Sequence, residues 1–232
     1  MRPQNTPLIT MIKHNVFAKA AITGVVVILI SSWMMMVGKV ETEGIWMPEG
    51  FKIPILALEF ASSEVEMSHI IGSMPPESNA QIVAGTQIDM LFLIAYNLFL
   101  FFVLRSIYKV TKLQQYKWLA LLPFVVLIAD AVENYQLFMA LGNFNYSILV
   151  LQFATWVKWV GLAASFTAIG RFLVTTGRYF DKVLALSTYV TLPLGLWAMF
   201  AHNGINEVFA MLFYLLFPML VIYTWFSGVK LN

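Results

Sequence analysis

Residues 83–106 have the sequence VAGTQIDMLFLIAYNLFLFFVLRS, an apolar run that few polar side chains interrupt. An α-helix needs roughly 20 such residues to cross about 30 Å of hydrocarbon, so this run is long enough to span a bilayer. Similar runs recur, and together they occupy residues 19–38, 83–106, 118–141, 149–172, 183–201 and 207–228. We therefore predict an all-α, polytopic bundle of six transmembrane spans, with residues 1–232 forming a single integral membrane domain.

The composition agrees with a membrane protein and narrows its chemistry. Of the 232 residues, 60% are hydrophobic and 11% are charged, whereas soluble domains carry about 25% charged residues. The net charge of +2 gives no reason to expect a nucleic-acid partner. The lack of cysteine excludes disulfides, iron–sulfur clusters and thiolate zinc sites. No H-E-x-x-H, G-x-S-x-G or phosphate-binding loop motif occurs, so the sequence names no cofactor and leaves open whether the protein is an enzyme.

Basic residues are concentrated in alternate connections between the predicted spans. These residues are Arg2, Lys13, Lys19, Arg105, Lys109, Lys112, Lys117, Arg171, Arg178, Lys182 and Lys230. The opposite connections hold Lys39 and Lys52 among five or more acids, and Glu207 near His202. Because cytoplasmic loops of membrane proteins are enriched in lysine and arginine, we predict that both termini lie in the cytoplasm.

The connection from Lys39 to Ile82 is long enough to carry structure of its own. Within residues 54–74, apolar side chains recur at helical spacing and Pro75-Pro76 follows, which predicts an additional amphipathic helix on the outer side. Its polar face would carry Glu59, Glu64 and Glu66 in contact with water.

Four charged side chains lie at membrane depth, away from the ends of the predicted spans: Asp89, Asp130, Glu133 and Lys158. Intramembrane charge is costly and usually functional. Counted along the helices at 1.5 Å per residue, all four lie roughly 9 to 17 Å below the outer surface. Three separate spans thus place charge at one depth, which predicts a single cluster.

Helical spacing gives these charges polar neighbours. On the third span Asp130, Glu133 and Asn134 are related by i, i+3 and i+4 and share a face. On the second span, spacings of seven and eight align a further set, Asp89, Tyr96 and Asn97.

The fourth span carries a matching stripe that includes Thr155 and Lys158. Gly161 and Ser165 form a small-xxx-small pair there, which lets a neighbouring helix approach closely. We expect the polar faces of the three spans to pack inward against one another.

Full ionisation of three acids beside one lysine would leave a net charge of −2 in a low-dielectric site. Either carboxyl groups hold protons, or a cation is bound, or water reaches the cluster. A cation site would have Asn97, Asn134 and His202 as further oxygen or nitrogen ligands. The sequence does not assign a metal to this site. Alternatively, Lys158 pairs with Glu133 or Asp130 only to hold three helices in register. His202 by itself favours a solvated histidine at the interface.

Residues 54–172 resemble a group of uncharacterised bacterial polytopic membrane proteins. The stretches that carry the resemblance are Gln87-Ile-Asp-Met-Leu-Phe-Leu-Ile-Ala-Tyr-Asn-Leu and Ala129-Asp-Ala-Val-Glu-Asn-Tyr-Gln-Leu-Phe. The resemblance implies a bacterial inner-membrane protein and a common constellation of site residues, but it implies no function because that group has no known activity.

The sequence thus favours a protein whose polar cluster binds or moves a cation, a proton or a small polar solute. Its principal candidates are Asp89, Tyr96, Asn97, Asp130, Glu133, Asn134 and Lys158, with Glu59, Thr155 and His202 as secondary candidates. Two other hypotheses stay open: an accessory or assembly subunit of a membrane complex, or a membrane-embedded enzyme acting on a lipid head group. The expected partners are the lipid bilayer, a cation or small polar solute, and further copies of the chain or other subunits of a membrane complex.

Overall fold

The computed structural model describes residues 16–228, and all regular structure there is α-helical. The six longer helices are α1 (Ala18–Val37), α4 (Pro76–Thr111), α6 (Leu122–Leu141), α7 (Ile148–Val174), α8 (Tyr179–Ala201) and α9 (Gly204–Gly228). The three shorter ones are α2 (Pro54–Glu59), α3 (Glu64–Ser73) and α5 (Gln114–Leu119). Within the described part of the chain, six helices are long and apolar enough to cross a membrane, if α5 and α6 are taken as one span. The prediction of a six-span, all-helical membrane protein is confirmed.

The predicted outer helix over residues 54–74 is wrong in one respect, because it is divided into α2 and α3. Ser63 is extended, and its hydroxyl accepts a hydrogen bond from the Glu66 N–H at 3.1 Å. The Glu66 carboxylate in turn accepts from the Ser62 N–H at 2.6 Å. Ser-x-x-Glu is a helix-start signal, and it starts a new helix inside the predicted one. The break forms a link, Phe60–Ser63, between the two helices. The side chains of α2 and α3 therefore do not share one helical face.

The second span is also longer than predicted, since α4 begins at Pro76 rather than near residue 83. Proline is well suited to the first turn of a helix, where its missing N–H has no intrahelical partner. Pro75 and Pro76 therefore end α3 and start α4 without an intervening loop. The helix ends at Lys112, which adopts a left-handed conformation with φ 60°.

Each long helix packs on the next along the chain, and α9 returns to pack on α1, so the spans form a closed circuit of contacts. Aromatic rings fill part of its centre. Phe217 on α9 lies 5.1 Å from Phe166 on α7 and 6.3 Å from Phe99 on α4, measured between ring centroids. Phe99 follows Tyr96 along α4 and Phe166 follows Lys158 along α7, so this aromatic core lies below these two polar residues.

One end of the bundle, here called the basic end, collects the start of α1 and the ends of α4, α7 and α9. The Ser106 hydroxyl donates to the Val16 carbonyl at 2.7 Å, and Arg178 donates to the Ser227 hydroxyl at 3.2 Å. The basic residues of this end are Lys19, Arg105, Lys109, Lys112, Lys117, Arg171, Arg178 and Lys182. The predicted alternation of charge thus corresponds to one physical end of the bundle. Arg2, Lys13, His14 and Lys230 lie outside the described residues.

The opposite end, here called the capped end, is covered by α2 and α3. Gly50 packs so closely on Gly204, at the start of α9, that a Cβ on Gly204 would lie 2.6 Å from the Gly50 carbonyl oxygen. The Glu207 carboxylate accepts hydrogen bonds from the backbone N–H groups of Lys52 and Ile53, at 2.7 and 3.0 Å. These contacts fix the chain just before α2 and so direct α2 over the bundle.

Candidate functional site

Lys158, buried on α7, is the centre of the polar cluster. Its Nζ lies 2.9 Å from Glu59 Oε2 on α2 and 3.5 Å from Asp130 Oδ1 on α6. It also forms a salt bridge with Glu133 on α6. One ammonium group therefore holds three carboxyl groups that come from two other helices.

Asp130 and Glu133 each have a second carboxyl oxygen that contacts a neutral polar side chain. The Tyr96 hydroxyl on α4 donates to Asp130 Oδ2 at 2.5 Å, and Thr155 on α7 lies 2.6 Å from Glu133 Oε1. The same Thr155 hydroxyl lies 3.1 Å from the Glu59 backbone carbonyl. A hydroxyl has one proton, so Thr155 donates to one of these two oxygens at a time. If it donates to the carbonyl, a protonated Glu133 can donate to it.

A second pair extends the cluster toward α4. Asn134 Nδ2 on α6 donates to Asp89 Oδ2 on α4 at 2.6 Å. Asn97 is buried but does not join this network, because its Nδ2 donates to the Leu93 carbonyl of its own helix at 2.8 Å. The structure thus brings together six of the seven principal candidates and places Asn97 beside them.

The close approach of α6 and α7 explains how Lys158 reaches its partners. A Cβ on Gly161 would lie 2.5 Å from Val126 Cγ2, so only glycine allows this spacing. Gly161 is one turn from Lys158 along α7, as the small-residue pair with Ser165 predicted. The Ser165 hydroxyl bonds back to the Gly161 carbonyl at 2.8 Å and needs no partner on another helix.

The position of Glu59 differs most from expectation. The periodicity of a continuous helix placed Glu59 on a wet face, whereas its side chain is 12% exposed and bonded to Lys158. Burial raises the pKa of Glu59 above its ordinary value, and the charge of Lys158 opposes this only in part. The Ser-x-x-Glu signal at Ser63 was the available indication that the helix breaks and that this periodicity does not continue.

Aromatic side chains enclose the cluster on the side of the link. Lys158 Nζ lies 4.8 Å from the centre of the Trp159 ring, within the range of a cation–π contact. Phe60 packs on Trp159 and on Trp156, with ring centroids 5.9 and 5.6 Å apart. Gln152 fixes the link by donating to the Ala61 carbonyl at 3.0 Å. The link therefore covers Lys158 from the capped end.

A cavity of about 220 Å³ at the capped end reaches Glu59. Its walls are Glu59, Phe60, Ser62, Gln152, Trp156, Ala198, Met199, His202 and Asn206. His202 is exposed, as an interfacial histidine should be, but its Nε2 lies 3.0 Å from the Glu66 carboxylate. His202 therefore belongs to the cavity wall and not to the Lys158 network.

With Glu59 included, the cluster contains four carboxyl groups and one ammonium group, so full ionisation would give a net charge of −3. Within residues 16–228, no three histidine, aspartate or glutamate side chains are placed to hold a metal ion. The Lys158 ammonium occupies the centre where a cation would otherwise sit. Chemically, several carboxyl groups around one ammonium group can gain and lose protons.

No family model matches the chain, and searches of curated proteins and of solved structures find no significant match.

Proposed function

We propose that the Lys158 cluster is a proton-binding site, and that the protein couples protons to the movement of a solute across the membrane. The observation that carries the proposal is the excess of carboxyl over ammonium groups at a buried position that a cavity reaches from the capped end. A charge of −3 in a low-dielectric interior is strongly unfavourable. The cluster is therefore expected to hold protons and to change their number when its contacts change.

The hydrogen-bond connections support a route for protons. Glu59 lines the cavity and bonds to Lys158, which contacts Asp130, which in turn accepts from Tyr96. Adjacent polar atoms along this series are 2.5 to 3.5 Å apart, close enough for direct hydrogen bonding or a small shift. On the other side, the aromatic core separates the cluster from the basic end. Exchange with the capped side is the direction that these contacts favour.

The orientation of the protein belongs to the same proposal. Most of the described basic residues lie at one end and most acids lie at the other, and the positive-inside rule places such a basic end in the cytoplasm of a bacterial inner membrane. The cavity would then open to the outside, where a proton gradient supplies protons.

A network with only a mechanical role would have the same contacts, since they also tie α2, α4, α6 and α7 together. A lipid head-group enzyme would need an apolar groove beside the cluster. A second cavity, of about 310 Å³, instead lies between α5, α7 and α8 near Arg171, at the basic end. No observation therefore favours that enzyme over proton coupling.

Infrared difference spectroscopy of the protein in lipid tests proton exchange without knowledge of the solute. We expect a protonated-carboxyl band that disappears as the pH is raised, and that is reduced in Asp130→Asn and Glu133→Gln. Glu64→Gln, which alters an exposed acid at the capped end, is the matched control and should leave the band unchanged. A band that is absent or identical in all variants would contradict the proposal.

Proteoliposomes containing a pH-sensitive dye provide the functional measurement. Wild-type vesicles should dissipate an imposed proton gradient faster than vesicles with Glu133→Gln.

Because the chain has no cysteine, a single Glu41→Cys substitution at the capped end reports the orientation of the protein in the membrane through an impermeant thiol reagent. Labelling of intact cells at that cysteine is expected, and protection from the reagent would show the opposite orientation.

A further inference from the structure

The cavity beside Glu59 is small. Its volume of about 220 Å³ is below the roughly 300 to 1,000 Å³ of pockets that hold drug-sized ligands. It would accommodate a molecule of a few non-hydrogen atoms. The chemistry of its walls restricts that molecule further.

Three polar side chains of the wall already donate a hydrogen bond to the protein. Gln152 donates from its amide nitrogen to the link, Ser62 donates from its hydroxyl to Glu66, and Asn206 donates to the backbone of α8. The groups left to a ligand include the Glu59 carboxylate, of which Lys158 uses one oxygen, and the Gln152 side-chain carbonyl, for which no hydrogen bond is found. Both are acceptors. A ligand that fits them is a donor or a cation.

The aromatic part of the wall has the same preference. Phe60 and Trp156 meet at 57°, with ring centroids 5.6 Å apart, and both face the cavity that Glu59 lines. An angled aromatic pair beside a carboxylate is the arrangement by which proteins bind quaternary and other organic ammonium ions. In the adjoining polar cluster, the Lys158 ammonium group already contacts an indole ring, that of Trp159.

The electrostatic field at the capped end also favours binding of a cation. Its acids are Glu41, Glu43, Glu49, Glu59, Glu64, Glu66, Glu77 and Glu207. Its described lysines are Lys39 and Lys52. Clefts lined by one sign of charge concentrate ions of the opposite sign.

We propose that this cavity binds a small organic ammonium ion, and that the ion competes with Lys158 for the Glu59 carboxylate. The inference rests on the proposed function, for which it names the class of solute. Binding adds one positive charge next to a cluster that holds protons, so the balanced step is: protonated cluster plus ammonium ion gives deprotonated cluster with bound ammonium ion, plus one proton. The protein would thus exchange the organic cation for a proton at the capped end.

Choline and its uncharged isostere 3,3-dimethylbutan-1-ol test the inference on the purified full-length protein in lipid nanodiscs. Calorimetry and tryptophan fluorescence should show binding of choline and not of the alcohol. Affinity should rise with pH, and a pH indicator should report proton release on binding. Glu59→Gln and Trp156→Leu should each weaken binding by about tenfold or more.

The controls are chosen for chemistry and position. Trp118→Leu changes a tryptophan that is 66% exposed at the basic end, and Glu64→Gln changes an exposed acid at the capped end. Neither should alter choline affinity. If Glu59→Gln does not fold, Trp156→Leu carries the test, because the two variants alter different halves of the proposed site.

Equal affinity for choline and the alcohol, or unchanged affinity in a folded Glu59→Gln or Trp156→Leu variant, would overturn the inference. Lack of binding by both choline and methylammonium to the wild type would do the same. In each case the infrared band of the cluster still decides the proposed proton-binding function separately. Loss of that band together with normal choline binding would instead overturn the proton exchange.

Discussion

Replacing Lys158 with methionine should destabilise the protein strongly, and in a pH-dependent way. Methionine keeps most of the length of the side chain but removes the charge that contacts Glu59, Asp130 and Glu133. Removing one partner of a buried ion pair generally costs about 3 to 5 kcal/mol, because it leaves an uncompensated buried charge. Here three carboxyl groups lose the same partner, so we expect a loss in the upper part of that range at about pH 8.

The loss should become smaller as the pH falls, because burial raises the pKa of Glu59 above its ordinary value and protonation then removes a carboxylate charge that the variant leaves uncompensated. For a chain of this size, each kcal/mol lowers Tm by about 2 to 4 °C, so a loss of about 4 to 5 kcal/mol should lower Tm by roughly 8 to 20 °C at about pH 8. The difference should shrink clearly at about pH 5. Adding Glu133→Gln to Lys158→Met should recover part of the loss, since it removes one of the unpaired carboxylates.

Thermal unfolding followed by circular dichroism in a mild detergent, or unfolding in lipid by steric trapping, measures these differences. Lys182→Met is the matched control, because Lys182 is exposed and surface substitutions usually change stability by less than about 0.5 kcal/mol. A loss below about 1 kcal/mol at about pH 8 would refute the reasoning. So would a loss that is equal at both pH values, since it would show that Lys158 contributes packing and not charge.

Two further predictions concern the packing and the cap. Gly161→Ala should lower the free energy of unfolding by about 1 to 3 kcal/mol in the same assay, because its Cβ would lie 2.5 Å from Val126 Cγ2. Gly72→Ala is the control, since a Cβ at Gly72 would have no atom within 4 Å. Equal effects of the two substitutions would contradict the close approach of α6 and α7. At Glu66, burial alone would raise the pKa, but hydrogen bonds from Ser62 and from His202 lower it below its ordinary value. That stabilisation is present above the ordinary carboxyl pKa and is lost as the pH falls, so Glu66→Gln should flatten the acid limb of the stability–pH curve, and an unchanged limb would contradict this assignment.

The helical secondary structure and the number of spans followed from local sequence. A stretch such as residues 83–106 must satisfy its backbone hydrogen bonds internally once it is in hydrocarbon, and only a helix does so within one segment. Spacing along one helix is equally local, which is why Asp130, Glu133 and Asn134 were correctly placed on one face. The gathering of charge from α4, α6 and α7 followed from their similar depth.

The sequence by itself did not place Glu59. Its bond to Lys158 joins residues 99 positions apart, and it exists because three separate packing features combine: the break at Ser63, the close contact of Gly50 with Gly204, and the glycine that lets α7 approach α6. None of these features alters the periodicity of α2, so periodicity alone assigned its carboxylate to water.

The sequence therefore determined that this chain is a six-span helical protein with charge buried in three of its spans. The tertiary structure decided which carboxylates share Lys158, that Asn97 bonds to its own helix, and that a cavity with aromatic walls ends at Glu59. The physical reason is that hydrophobicity and helical period act within one segment, whereas pairing of side chains depends on how helices rotate and approach. The rotation and approach of the helices are set by contacts between residues far apart in the chain, and the sequence of a single segment does not reveal these contacts.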